Sequence, residues 1–169
     1  MKNSFIKSAV LHGAIIGSAI VALSLIDWAF KFYGSNMGIT FLMYVVMFGG
    51  LLGSVFIYRK QIGGYISYGQ AWNFSATVSV VYAFISVVFS LLLTEVIDTG
   101  YKKHVLELTR EKLLENGLTP QQVEASIKWS EKFMEPTISF FVGLLTTVIM
   151  SIVIALITSA IVKKNNPNL

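Results

Sequence analysis

The chain contains no cysteine in its 169 residues. That excludes disulfides, cysteine nucleophiles and thiolate metal sites together. Charge is scarce as well: Asp, Glu, Lys and Arg make up 13%, against about 25% in soluble domains. So few charged groups leave too little polar surface to cover a water-soluble globule. Proline occurs only at Pro120, Pro136 and Pro167, so none interrupts a long apolar run. Histidine is limited to His12 and His104, and neither HExxH nor GxSxG is present. The sequence signatures of a zinc hydrolase and of a serine hydrolase are therefore missing. The expectation is no catalytic residue, no bound metal and no cofactor.

Hydrophobic residues fill the space that charge leaves, at 54% of the chain with a mean hydropathy of +0.68. A hydrocarbon core of about 30 Å needs roughly 20 apolar residues in a helix. Four stretches meet that length, at about 8–30, 39–58, 72–97 and 137–162. The reading is a single all-α domain over 1–169, a four-helix transmembrane bundle. The first run resembles a secretion signal, because Lys2 and Lys7 precede it and Ala22 and Ser24 mimic a cleavage site. Its apolar part continues to Phe30, beyond the usual 7–15 residues of a signal core, so it is expected to stay as a span.

Basic residues near span ends set orientation. Lys2, Lys7, Arg59, Lys60, Lys163 and Lys164 fall on one side, whereas the short loop KFYGSNMG offers only Lys31. Residues 100–135 carry six basic and six acidic side chains, which cancel. Both termini and the 58–70 loop are thus expected in the cytoplasm, with 99–135 outside an inner (plasma) membrane. Each inner-face cation near anionic lipid contributes about 1 kcal/mol. The formal charge of +4 is accounted for in this way, without nucleic acid.

The loop YRKQIGGYISYGQ (58–70) joins the second and third runs. Arg59 and Lys60 read as inner-face anchors, and Tyr58, Tyr65, Tyr68 and Trp72 suit the headgroup belt. Gly63 and Gly64 permit a tight reversal. Ser67 and Gln70 have the spacing of a reciprocal helix cap, with Ile66 and Ala71 as a small staple beside it. Phosphate binding by Arg59, Lys60 and the glycine amides is the alternative, but no strand precedes the loop and the lysine is out of a Walker frame. A turn is the preferred reading. The order YR, a short gap, GGYIS, then an aromatic, Gln and Ala opening a long span resembles a bacterial membrane family, domain of unknown function 4199. That resemblance implies a four-span inner-membrane protein and brings no catalytic residues with it.

The polar insert between the last two runs reads as a helical hairpin outside the membrane. Asn116-Gly117 in LLENGLTPQQVE is a helix stop, with Leu118 returning toward Leu113. Thr119, Pro120 and Gln122 are the cap, first residue and third residue of the next helix. Asp98 with Lys102 and Glu124 with Lys128 have the i,i+4 spacing of helical ion pairs. Val123, Ile127 and Met134 mark an apolar stripe. If the third run continued unbroken through Gly100, the hairpin would stand about 25 Å from the membrane. Pro136 would kink or restart the returning helix. Trp129, Phe133 and Met134 are candidates for partner contact, weighed against packing on the hairpin itself and on headgroups.

Small residues recur every four positions in the last run, at Ser139, Gly143, Thr147, Ser151, Ala155 and Ser159. Ser75, Ser79, Ser86, Ser90 and Thr94 line the third run, and Gly13/Gly17 and Gly49/Gly53 repeat the GxxxG spacing. Close helix packing is the preferred use of such stripes, over a polar pore. No charge lies at the middle of a run, which argues against an ion pump. His12, a turn inside the first run, is a candidate proton or pH group, though a histidine reaching the interface or a neighbouring backbone is commoner. Asp27, Glu95 and Asp98 fall near the outer face and are candidate ligands for a hard cation, with solvated or lysine-paired charges as the default. No internal repeat of the alternating-access kind is present.

These features point to a non-enzymatic multi-pass membrane protein. Its hairpin and small-residue seams would serve assembly with a second copy, or with a protein in the membrane or periplasm. The alternative is a small transporter or channel component.

Overall fold

The computed structural model describes residues 2–164, with side chains from Ser4 onward. The Lys2 side chain and residues 165–169 lie outside the described residues. Six α-helices account for the described chain: α1 (Lys2–Ala29), α2 (Met37–Gln61), α3 (Tyr68–Leu92), α4 (Tyr101–Glu115), α5 (Pro120–Phe133) and α6 (Pro136–Val162). No β-strand forms among these residues; one isolated antiparallel bridge joins Ile66 to Lys164. The chain is a four-helix membrane bundle of α1, α2, α3 and α6, with α4 and α5 as a hairpin beyond one end.

All four long helices are long and apolar enough to cross a bilayer, and only 17% to 33% of each apolar window is buried inside the chain. Most apolar surface therefore faces outward, as in Leu11, Phe41, Phe84 and Leu145. In water that much exposed apolar surface is an aggregation liability, and in lipid it is the solvated face. Helices suit the setting because each satisfies its own backbone groups.

α3 is the central element. It packs on α1 along one side and on α6 along another, while α2 closes the ring against α1 and α6. Small residues decide these approaches. A β-carbon on Gly13 would lie 2.6 Å from Val81 Cβ and 2.9 Å from the Val78 carbonyl, and one on Gly17 would lie 3.1 Å from Ile85. The Gly13/Gly17 motif is thus the α1–α3 seam. On α6, Ser151, Ala155 and Ser159 are buried, the Tyr82 hydroxyl of α3 meets Ser151, and Gly143 faces Val87. The α6 stripe therefore packs within the chain. Gly49 and Gly53 depart from expectation: neither has a neighbour within 4 Å of a built β-carbon, and Gly50 instead meets Ile16 at 2.7 Å.

The hairpin does not continue the bundle helices. α3 ends in a π-helical turn, Leu93–Ile97, closed by Asp98 N–H to the Leu93 carbonyl at 2.8 Å. Asp98 then leaves helical geometry (φ −134°, ψ 88°), and α4 starts afresh at Tyr101. α6 restarts at Pro136, its first residue. At the tip, Gly117 is left-handed (φ 81°). Leu118 N–H donates to Leu113 O at 3.2 Å and Gly117 N–H to Leu114 O at 2.9 Å, the paired bonds of a Schellman stop. Thr119 and Gln122 form the reciprocal cap of α5.

Two expected ion pairs do not form among the described residues. Lys102 reaches Glu95 in place of Asp98, because the helix break removes Asp98 from the face that i,i+4 spacing requires. Glu124 pairs across the hairpin with Arg110 at 3.3 Å rather than along its own helix with Lys128.

Candidate functional site

The hairpin end is held to the bundle by a polar and aromatic latch. Trp28, one residue before the end of α1, donates its indole N–H to Asp98 Oδ2 at 2.9 Å. The other oxygen of Asp98 accepts from Gly100 N–H at 3.0 Å, so one carboxylate fixes both α1 and the turn into α4. Asp27 is buried and accepts from Gly34 N–H at 2.7 Å. That bond stabilises a corner in which Lys31 and Tyr33, neither glycine, hold positive φ of 56° and 49°. The corner aims Tyr33 at the hairpin, edge-on to Tyr101 at 5.2 Å and stacked on His104 at 5.0 Å. Burial raises the Tyr101 phenol above its ordinary pKa, and Asp27, Tyr33 and Asp98 push it the same way.

The three candidate cation ligands are therefore divided. Asp27 serves the corner, Asp98 the latch, and Glu95 the Lys102 pair. Among the described residues no group of three or more His, Asp or Glu side chains is placed to hold a metal.

Within the hairpin, Val123 and Ile127 of α5 are buried toward α4. Trp129 and Phe133 belong to a different stripe and stay 62% and 52% exposed. Their rings stack at 6.3 Å between centroids, and the Lys132 ammonium sits 5.8 Å from the Trp129 ring. This ridge is aromatic, cation-flanked and largely uncovered by the described residues.

The basic end is built differently. Arg59 donates from its guanidinium to the Val162 carbonyl at 2.9 Å, closing the C-terminus of α6. Lys60 remains exposed. Ile66, 1% exposed, exchanges two backbone bonds with Lys164, at 3.0 and 2.9 Å. Gly63 and Gly64 take φ of 100° and 85°, and Ser67 and Gln70 form the reciprocal cap of α3. The loop is thus a turn that also clamps the end of α6. Tyr58 is a correction: it stacks on Phe74 at 4.1 Å inside the core rather than joining the headgroup belt. His12 Nδ1 lies 2.7 Å from the Ser8 carbonyl, an acceptor that assigns the proton to that nitrogen. Ser8 in turn donates to Gln61 at 3.1 Å. His12 is therefore tied to its own helix one turn back. Beside this network a cleft of about 1880 Å³ opens between the start of α1, the 58–70 loop and α3.

Spacing did not reveal the Trp28–Asp98 bond or the Tyr33–His104 stack. A tryptophan and an aspartate at matching ends of neighbouring spans was the available signal.

No curated protein and no solved structure matches the chain. A match to the family described as "Protein of unknown function (DUF4199)" covers residues 11–164, the whole bundle from within α1 to the Ile66–Lys164 bridge. The chain is a membrane protein that belongs to this DUF4199 family.

Proposed function

We propose that the protein is a non-enzymatic, multi-pass component of a bacterial inner membrane whose outer hairpin docks a protein partner. Both termini lie in the cytoplasm in this reading, on the strength of the lysine and arginine distribution. The observation that carries it is the Trp129–Phe133 ridge. Two large aromatic side chains are exposed and stacked, on an element whose other stripe is already satisfied by α4. Buried tryptophans and tyrosines with arginine dominate binding energy at interfaces, and a pre-ordered aromatic ridge loses little entropy on docking. The latch of Trp28, Asp98, Tyr33 and Tyr101 supports the same reading, because it holds the hairpin in one pose. The Gly13/Gly17 and α6 seams are used within the chain, and the hairpin is the surface that presents large stacked aromatic side chains. Tyr82, fully buried, fills the α3–α6 seam where a polar path would run, which favours docking over transport.

Photocross-linking in native membranes tests the reading. A photoreactive residue at 129 or 133 should yield one discrete protein adduct, and the same residue at Glu111, on α4, should not. Adducts with lipid alone at 129 and 133 would refute it.

A further inference from the structure

The cleft at the basic end changes character along its length. Its mouth is formed by Ser4, Gln61, Ser67, Gln70 and Lys164, and its far end by Ala76, Val80 and Val81 of α3. From Ser67 to Val81 the helix rises about 21 Å, the depth of a headgroup plus much of an acyl chain. Val80 is 53% exposed and Phe84, one turn on, is 54% exposed, so the far end opens sideways into the bilayer. The volume of about 1880 Å³ exceeds the roughly 300–1,000 Å³ of ordinary small-molecule pockets.

The charge is one-sided. Lys164 lines the mouth, and Lys7 lines an adjoining hollow of about 490 Å³ that shares Ser4 and Gln61 with it. No Asp or Glu lines either space among the described residues. Lys164 has no carboxylate partner there, and its ammonium is poised 5.5 Å from the Tyr65 ring while its backbone is pinned to Ile66. The cap takes the side-chain oxygen of Gln70, leaving its NH2 as a donor.

We propose that this cleft binds one anionic phospholipid, with its phosphate at the mouth and an acyl chain along Ala76, Val80 and Val81. A soluble phosphate ester would leave the apolar part of the groove unfilled. A zwitterionic lipid would bring an ammonium to a mouth that offers it no carboxylate.

The full chain, delipidated in neutral detergent, is titrated with phosphatidylglycerol, phosphatidylcholine or glycerol 3-phosphate and read by native mass spectrometry. One phosphatidylglycerol should bind about tenfold more tightly than phosphatidylcholine, the scale of one charge-assisted contact. Lys164→Glu should abolish that preference; its fold is safe because Lys164 is held through its backbone. Ala76→Trp should weaken both lipids by blocking the chain groove. Equal binding of the two lipids, or an unchanged preference in Lys164→Glu, overturns the proposal. Glycerol 3-phosphate that binds as tightly as phosphatidylglycerol overturns it too, in favour of a soluble ester.

Discussion

Gly13 and Gly49 sit in identical GxxxG frames, yet only one is a packing residue. A methyl at Gly13 would press on the Val78 carbonyl and on Val81 Cβ, backbone and branch-point atoms that cannot swing aside. Gly13→Ala should cost about 1–3 kcal/mol, the usual penalty of overpacking, whereas Gly49→Ala, with open space at its β-carbon, should be neutral or stabilise by up to about 1 kcal/mol. Thermal or denaturant unfolding in detergent distinguishes them, and equal losses would show that the α1–α3 seam is wrongly placed. Tyr101 offers a pH counterpart. Its pKa is raised above 10.0 in the folded chain by burial first and by Asp27, Tyr33 and Asp98 after it. The fold therefore prefers the neutral phenol. The stability this contributes is whole below about pH 10 and is lost as pH rises through the raised value. The unfolding midpoint of the wild type should fall more steeply above about pH 10 than that of Tyr101→Phe. Parallel curves would contradict the burial of that phenol.

At the scale of elements, short-range signals fix the caps and stops but not the partners. The caps at Ser67/Gln70 and Thr119/Gln122, and the stop at Gly117, depend on residues three or four apart, a distance the sequence states directly. The pairs Asp98–Lys102 and Glu124–Lys128 also had the right spacing, but spacing counts only while the helix is unbroken and no nearer partner competes. The π turn after α3 freed Asp98 to bond Trp28, seventy residues away. If that bond holds the hairpin, Trp28→Phe should speed amide exchange over α4 by at least about tenfold, from the roughly 1.5–3 kcal/mol of one hydrogen bond to a charge. The bundle helices should keep their protection. Faster exchange throughout the chain would mean a general loss of packing instead.

For the whole molecule, the natural lack of cysteine makes topology directly measurable. Single substitutions Lys60→Cys and Glu115→Cys, both at exposed sites, should react with an impermeant thiol reagent from opposite sides of the membrane. Labelling from the same side would overturn the span count or the direction of the hairpin. Four apolar helices of spanning length, an all-α fold and a polar hairpin between the last two were legible in the sequence, because lipid requires about 20 uninterrupted apolar residues per crossing and any chain that complies shows it. Hydrophobicity could not say which small-residue stripe faces a neighbour. Gly13 and Gly49 differ only in what stands opposite, and that is decided by the order of helices around α3. Nor could it join the mouth of the cleft, which gathers Ser4, Gln61, Gln70 and Lys164 from four separate segments. The local backbone code and the solvent preference of each segment were in the sequence by themselves. The tertiary structure alone chose which distant side chains meet, since such contacts depend on helix rotation and on breaks that no fixed spacing encodes.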